Sequence, residues 1–151
     1  MTYQKLTYFG SECNYYLYFA FDAEYFDTEI ITRKLKIEPT SVMIKQNPIP
    51  KSTSWEYKII AGNDSNLGTY LGQLLDIFEP KIELINNLKK AYNLDTRLQF
   101  VAYIDIDPEA STPYFGLNAR AIDFLGKTGT EVDFDLYKAD TIGLLKKLSN
   151  K

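Results

Sequence analysis

Hydrophobic and polar residues alternate with a period of two along several stretches of the chain, and this pattern predicts β-strands. Trp55, Tyr57 and Ile59 form one such series, in which the apolar side chains share one face of a half-buried strand. The run at 14–21 is aromatic and apolar, with five aromatic residues among eight, which favours a central strand over a helix. The main predicted strands are residues 14–21, 54–59, 97–106 and 131–137, with shorter ones at 42–44 and 114–117.

Other segments carry apolar residues at helical spacing. The clearest series predicts two successive helices, or one long kinked helix, over 66–92 with a junction at Pro80; its first half contains Leu67, Tyr70, Leu71, Leu74, Leu75 and Phe78. A helix over 28–36 is predicted after Asp27 as N-cap. Asn118 and Asp140 are predicted to cap two further helices, one closed by Gly126 and Gly129 and one at about 140–149.

This order of elements predicts an α+β fold, with a mainly antiparallel sheet and helices packed on one face. A strand–helix–strand unit occurs twice, at 14–59 and 114–137, and the strand at 114–117 is predicted to pair with 97–106 as a hairpin. The repeat predicts a ferredoxin-like two-layer sandwich with the helix pair inserted. We expect residues 1–151 to form a single domain.

Composition indicates a soluble globular protein, with 45% hydrophobic and 25% charged residues and a net charge of −3. No basic cluster and no long apolar run occurs, so we expect neither nucleic-acid nor membrane binding. The N-terminus does not resemble a signal peptide, and the lone Cys13 fits a reducing compartment. These features predict a cytoplasmic protein.

The chain contains no histidine, which removes the usual general base and the usual nitrogen ligand for metals. Its scattered glycines form no phosphate loop or dinucleotide motif. We therefore expect no enzyme activity, no catalytic residues, no metal site and no cofactor. The alternative is a carboxylate-dependent, metal-assisted activity centred on Asp105, Asp107 and Asp135, and Asp105-x-Asp107-x-Glu109 copies part of a calcium loop.

The final predicted strand carries three acidic residues on one face. Glu131, Asp133 and Asp135 alternate with apolar residues, so burying the apolar set forces the acids to the other side, with Tyr137 at the strand end. A solvated sheet face explains this pattern without any function. The functional hypothesis is that these four residues bind a basic partner, whose positive charges would relieve the repulsion between the carboxylates.

The first quarter of the chain is crowded with tyrosines. If Leu17, Phe19 and Phe21 fill the core, then Tyr16 and Tyr18 face either a second layer or water, and exposed tyrosines are typical of interfaces. The alternative is that the segment Tyr3–Phe9 folds over them. Trp55 is predicted to pack in the core.

Several motifs together resemble the bacterial domain of unknown function numbered 4279, over roughly residues 14–138. They are the helix leading into Lys36-Ile37-Glu38-Pro39-Thr40, the pair Ser54-Trp55, and the closing strand Phe134-Asp135-Leu136-Tyr137. The chain departs from the family pattern at Lys36, where such domains often carry glycine. The resemblance implies a small intracellular bacterial protein and no defined activity.

Relatives of this size and style are often immunity proteins that bind and block a toxin. We therefore expect a non-catalytic protein that binds another protein, with a basic toxin domain as the first candidate. The open alternatives are a homodimeric structural module, a metal-dependent enzyme and a small-molecule sensor with a pocket between sheet and helices.

Overall fold

The computed structural model describes residues 7–9 and 13–145. The strands are β1 (Thr7–Phe9), β2 (Tyr15–Ala23), β3 (Ser41–Met43), β4 (Thr53–Gly62), β5 (Asp95–Asp105) and β6 (Glu131–Asp140). The helices are α1 (Thr28–Leu35), α2 (Leu67–Phe78), α3 (Ile82–Tyr92) and α4 (Ala119–Thr128), and a 3-10 turn at Glu79–Lys81 joins α2 to α3. The α+β class and the helix pair divided at Pro80 are confirmed.

All six strands form one mixed sheet in the order β1-β6-β5-β2-β4-β3. The pairs β2–β4, β2–β5 and β3–β4 are antiparallel. The pairs β5–β6 and β1–β6 are parallel. The predicted repeat of a strand–helix–strand unit at 114–137 is wrong, because no strand forms at 114–117. The strands on either side of α4 are β5 and β6, which are parallel neighbours, whereas β2 and β4 are antiparallel neighbours.

The predicted hairpin between 97–106 and 114–117 is wrong. Tyr114 forms only an isolated bridge with Asn66, and the backbone N–H of Leu67 donates to the Tyr114 carbonyl at 2.8 Å. The segment after β5 therefore crosses to the start of α2 before it enters α4. The next strand along the chain, β6, pairs with β5. Because the two strands are parallel, the chain must return through a long crossover connection before β6 begins.

The four helices cover one face of the sheet. The core consists of the apolar side chains that alternate along β2, β4 and β5, packed on helix residues such as Phe78 and Phe124. Phe19 lies at the centre, with ring centroids 4.7 Å from Phe78 and 5.9 Å from Phe124. Trp55 is fully buried there and donates from Nε1 to Thr32 Oγ1 at 3.0 Å, as a core residue that satisfies its one donor.

Local signals fix the helix ends. The side chains of Asp27 and Asn118 accept from the backbone N–H groups of Glu29 and Ala121 at 3.0 and 2.9 Å. α1 ends at Lys36, which has a φ of 58°, the left-handed conformation that favours glycine. α4 runs through Gly126 and ends at Gly129 with a φ of 59°.

The predicted helix at about 140–149 lies mostly outside the described residues. Asp140 is the last residue of β6 and does not occupy the predicted N-cap position, although its side chain accepts from the backbone N–H groups of Leu144 and Leu145, both at 2.9 Å. Within the described part of the chain, none of the helices has the length and apolar character needed to cross a membrane.

Candidate site on the helix-free face of the sheet

The face of the sheet opposite the helices carries the polar side chains of the central strands. We call it the helix-free face, because none of the described helices packs on it. Strand register brings residues from β2, β5 and β6 into rows across it. One row contains Tyr18, Gln99 and Asp133, and the next contains Tyr16, Val101 and Asp135; Ala20, Arg97 and Glu131 form the row on the other side.

The three acids of β6 lie along one side of the helix-free face, and we call Glu131, Asp133 and Asp135 the acid strip. All three are exposed. The alternating apolar residues of β6 point to the helix side, where the ring of Phe134 stacks on Phe100 at 5.3 Å. The structure thus places the carboxylates where the alternation predicts them, next to the central strands.

Tyrosine rings continue the acid strip toward the end of β6. The ring of Tyr137 lies 5.3 Å from Tyr8 and 5.7 Å from Tyr103. Tyr8 comes from β1, so part of the predicted N-terminal cover reaches this face, although Tyr3 lies outside the described residues. Tyr16 and Tyr18 stack on each other at 6.3 Å on β2.

Tyr16 lies between positive and negative neighbours. The Lys58 ammonium sits 4.4 Å from its ring centroid, as a cation–π contact. Burial, together with the charges of Tyr137, Tyr18, Tyr103 and Asp135, raises the pKa of the Tyr16 hydroxyl to about 12. Tyr16 therefore remains a neutral hydrogen-bonding group at physiological pH.

Arg97 organises the polar side chains at the centre of this face. Its Nε donates to Asp22 Oδ2 at 3.1 Å, and its Nη1 donates to the Tyr18 hydroxyl at 3.0 Å and to Gln99 Oε1. Burial acts to lower the pKa of the guanidinium, but the hydrogen bonds to Tyr18 and Asp22 outweigh it and raise the pKa. Arg97 is thus a permanent cation that fixes three side chains from two strands.

Glu56 approaches the same cluster from β4. It lies across the small Ala20 from Arg97, since both residues pair with Ala20 in the sheet. Only 6% of Glu56 is exposed, and burial raises the pKa of its carboxyl, although Arg97 and Lys58 oppose this. Ser54 donates to Glu56 Oε1 at 3.4 Å. Burial therefore makes the charged form of the Glu56 carboxyl group unfavourable.

Gln99 is the one residue of the cluster whose hydrogen bonding is incomplete. It is 2% exposed, and its Nε2 is the single buried side-chain nitrogen or oxygen of the described residues that lacks a hydrogen-bond partner. Its Oε1 is occupied by Arg97. The amide therefore presents an unused donor inside a polar environment.

The carboxylates of the predicted metal-dependent alternative do not meet. Asp135 pairs with Val101, four residues before Asp105 in β5, which separates the two by roughly 13 Å along the strands. Asp105 Oδ1 accepts from the backbone N–H of Asp107 at 3.0 Å, and Asp107 Oδ1 accepts from that of Glu109 at 3.0 Å. Burial opposes it, but hydrogen bonds from Thr141, Asp107 and Ile106 lower the pKa of the Asp105 carboxyl.

These aspartates therefore order the turn after β5. No group of three or more histidine, cysteine, aspartate or glutamate residues in the described ranges, 7–9 and 13–145, is arranged to hold a metal ion.

Two shallow clefts open elsewhere on the surface of the described chain. One, of about 470 Å³, lies between α1 and α3 and is lined by Ile30, Arg33, Lys34 and Tyr92. The other, of about 460 Å³, lies in the loop between β3 and β4 and includes Tyr25 and Lys51. Neither lies between the sheet and the helices, where a sensor pocket was predicted.

Sequence reasoning missed Arg97, Gln99 and Glu56 as members of the site. The alternation of 97–106 assigns Arg97 and Gln99 to the polar side of their strand, but it contains no signal that Gln99 is buried and Arg97 half-buried. The available signal was one charged residue on the polar side of each of two predicted strands, Glu56 and Arg97. The central strand adds Asp22 and the small Ala20. Only the strand order turns that signal into a cluster.

A family model described as a domain of unknown function (DUF4279) matches residues 11–139 of the chain. No curated protein and no solved structure matches it. The matched region contains β2 to β6 except the last residue of β6, and so all of the helix-free face apart from Tyr8.

Proposed function

The chain belongs to the DUF4279 family, whose description names no activity, and we propose from its site that it acts by binding a basic protein partner through the helix-free face. One observation carries the proposal. The acid strip is exposed on a sheet face that the described helices leave open, beside Tyr16, Tyr18 and Tyr137.

Charge supports this choice of partner. The helix-free face holds Arg97 and Lys58 as cations, and Arg97 is already committed to Asp22. The acid strip has no such partner: its three carboxylates form no ion pair in the described part of the chain. Three like charges along one strand repel one another, and a basic surface would relieve that repulsion and accelerate association.

The tyrosines support a protein as the partner. Tyrosine contributes a large apolar area and a hydroxyl at a low entropy cost, and it is enriched in protein interfaces. Tyr16 and Tyr18 are half-buried and lie in the same rows as Asp135 and Asp133, with β5 between them, so a partner that spans these rows would cover their rings as well as neutralise the two carboxylates. Tyr137 would form the end of the same interface.

We further propose that the partner is a basic toxin domain and that this chain is its cytoplasmic, bacterial immunity protein. The small size, the net charge of −3 and the absence of histidine support a binding role over a catalytic one. A homodimer through the same face is the alternative that the experiment below must separate. For the fold, we propose a ferredoxin-like two-layer sandwich with a mainly antiparallel sheet, since three of the five strand pairs are antiparallel.

The test uses three forms of the protein as bait in its native extract. The acid-strip variant carries Glu131→Gln, Asp133→Asn and Asp135→Asn. The control variant carries Glu29→Gln, Glu38→Gln and Glu83→Gln, which are exposed acids outside the sheet. Both variants lose the same charge.

We expect the wild type and the control to retain the same basic protein and the acid-strip variant to lose it. With the purified partner, association at low salt should slow in the acid-strip variant only, and its salt dependence should flatten. Equal retention and equal kinetics in all three forms would reduce the acid strip to solvated surface. Retention of only a second copy of the chain would favour the homodimer.

A further inference from the structure

The unused donor of Gln99 lies beside the acid strip, and the two observations are independent. Buried polar groups in folded proteins are almost always hydrogen-bonded, so a buried amide nitrogen without a partner calls for an explanation. Gln99 is on the strand that neighbours β6, and Asp133 lies directly opposite it. The donor and the carboxylate therefore belong to one small area of the helix-free face.

Arg97 fixes the orientation of the Gln99 amide. The guanidinium Nη1 donates to Gln99 Oε1, and turning the amide over would place two donors against each other. Because the amide is planar, its Nε2 lies on the side away from the Arg97 contact. Arg97 itself cannot satisfy the donor, because a guanidinium has no acceptor; its N–H groups donate to Asp22, Tyr18 and Gln99.

We propose that Gln99 Nε2 binds a main-chain carbonyl oxygen of a basic segment of the partner, whose lysine or arginine side chain lies on Asp133 and Asp135. This deepens the proposed function and rests on it. The donor requires an acceptor, and the neighbouring acids require a cation. A peptide that carries arginine or lysine supplies both groups within one residue.

Gln99 is only 2% exposed in the free protein, so a partner reaches its Nε2 only when a neighbouring side chain moves. Asp133 is exposed and Tyr18 is half-buried, and no described helix lies over them. Asp133, opposite Gln99, is the side chain that we infer moves: its Oδ1 would leave the backbone N–H of Phe134, now at 2.9 Å, as the carboxylate turns toward an incoming cation. Binding of the charge and exposure of the donor would then occur together.

Two probes of matched charge separate the amide contact from simple charge attraction. The first is the peptide Arg-Gly-Arg-Gly-Arg, blocked at both ends, which carries carbonyl groups and three positive charges. The second is spermidine, which also carries three positive charges and has no carbonyl. Calorimetric titration of the full chain with each probe gives the ratio of the two affinities.

Two substitutions address Gln99. Gln99→Glu keeps an oxygen for Arg97 and replaces the donor by an acceptor, while Gln99→Leu removes the polar group without adding charge. We expect the wild type to bind the peptide about tenfold more tightly than spermidine, as one hydrogen bond to a buried donor implies. In both variants the two affinities should become similar, and Gln99→Glu should not weaken spermidine binding.

A stability readout separates this role from a structural one. Gln99→Leu also removes the acceptor of the Arg97 guanidinium, so the comparison is made in an Arg97→Met background, where an unsatisfied amide predicts that Gln99→Leu leaves the melting temperature unchanged or raises it. A clear fall in melting temperature would show that the amide supports the fold and would contradict the proposal.

The remaining outcomes are equally decisive. No binding of the peptide by the wild type, or equal affinity for peptide and spermidine, overturns the role of Gln99. The acid-strip variant tests the underlying function separately: if it binds both probes as tightly as the wild type, the proposed function fails. If the acid-strip variant binds both probes more weakly while the Gln99 variants keep the wild-type ratio of the two affinities, the acid strip binds cations and Gln99 does not bind the peptide.

Discussion

The two faces of the sheet are built from the same strands but differ in how completely their polar groups are hydrogen-bonded. On the covered face, Phe19, Trp55 and Phe100 are fully buried against the helices, and the one polar group among them, the Trp55 N–H, has its acceptor. On the helix-free face, Arg97 and Glu56 are held in a polar cluster, and Gln99 keeps an unused donor. The covered face secures the fold, and the helix-free face retains groups that can still bind.

The largest expected difference between the faces concerns stability. Phe19→Ala empties the centre of the core, so we expect a loss of about 3–5 kcal/mol in the free energy of unfolding. Tyr16→Ala, on the same strand but the opposite face, should cost about 1 kcal/mol, because its ring is only half-buried. Urea denaturation measures both. Similar losses would contradict the assignment of the two faces.

Sequence pattern was sufficient for the covered face. Burying apolar residues requires only that they recur at the period of the strand or helix, and the alternation in 54–59 and the helical series in 67–78 show this directly. The helix-free face required knowledge of neighbours. Gln99 and Arg97 lie next to Tyr18 and Asp22 only because β5 pairs with β2, a contact 75 or more residues away in sequence.

The failed hairpin at 114–117 has the same cause. Tyr114 and its neighbours have a composition suited to a strand, but their backbone partners are Ser65 and Leu67 at the entrance to α2. Nothing local distinguishes that pairing from a hairpin with β5. The acid strip could be predicted because the alternation of its acidic residues with apolar residues lies within one strand.

The ion pair between Arg97 and Asp22, at the centre of the helix-free face, should contribute more to the free energy of unfolding than the ion pairs of Arg120 on the helices. Arg97→Met leaves Asp22 without its cation in a half-buried position and removes the contact to Tyr18, so we expect a loss of about 1–3 kcal/mol. Arg120→Met breaks exposed pairs with Asp76 and Glu79 and should cost under about 1 kcal/mol. Thermal unfolding of both variants checks this. Equal losses would show that the cluster has no special role.

Glu56 makes the contribution of the helix-free face to the stability of the fold dependent on pH. Because burial raises the pKa of its carboxyl in the folded protein, its ionisation opposes folding: the penalty is absent below about pH 4.5, the ordinary value, and grows as pH rises through the raised pKa. Glu56→Gln removes this penalty. Its melting temperature relative to the wild type should therefore be higher at pH 7 than at pH 4.

The matched control is Glu83→Gln, which changes an exposed carboxyl on α3. The variant controls for the loss of one carboxyl group and its charge, and the change between the two pH values should be larger for Glu56→Gln than for this control. A pH-independent difference for Glu56→Gln would mean that Glu56 is not penalised by burial.

The most direct test of the binding face is an NMR titration of the ¹⁵N-labelled protein with the blocked Arg-Gly-Arg-Gly-Arg peptide. The account predicts the largest shifts at the side-chain amide of Gln99 and at the backbone amides of Tyr16, Asp133 and Asp135. Shifts centred instead on the cleft of Ile30, Arg33 and Tyr92, or no shifts at all, would contradict it.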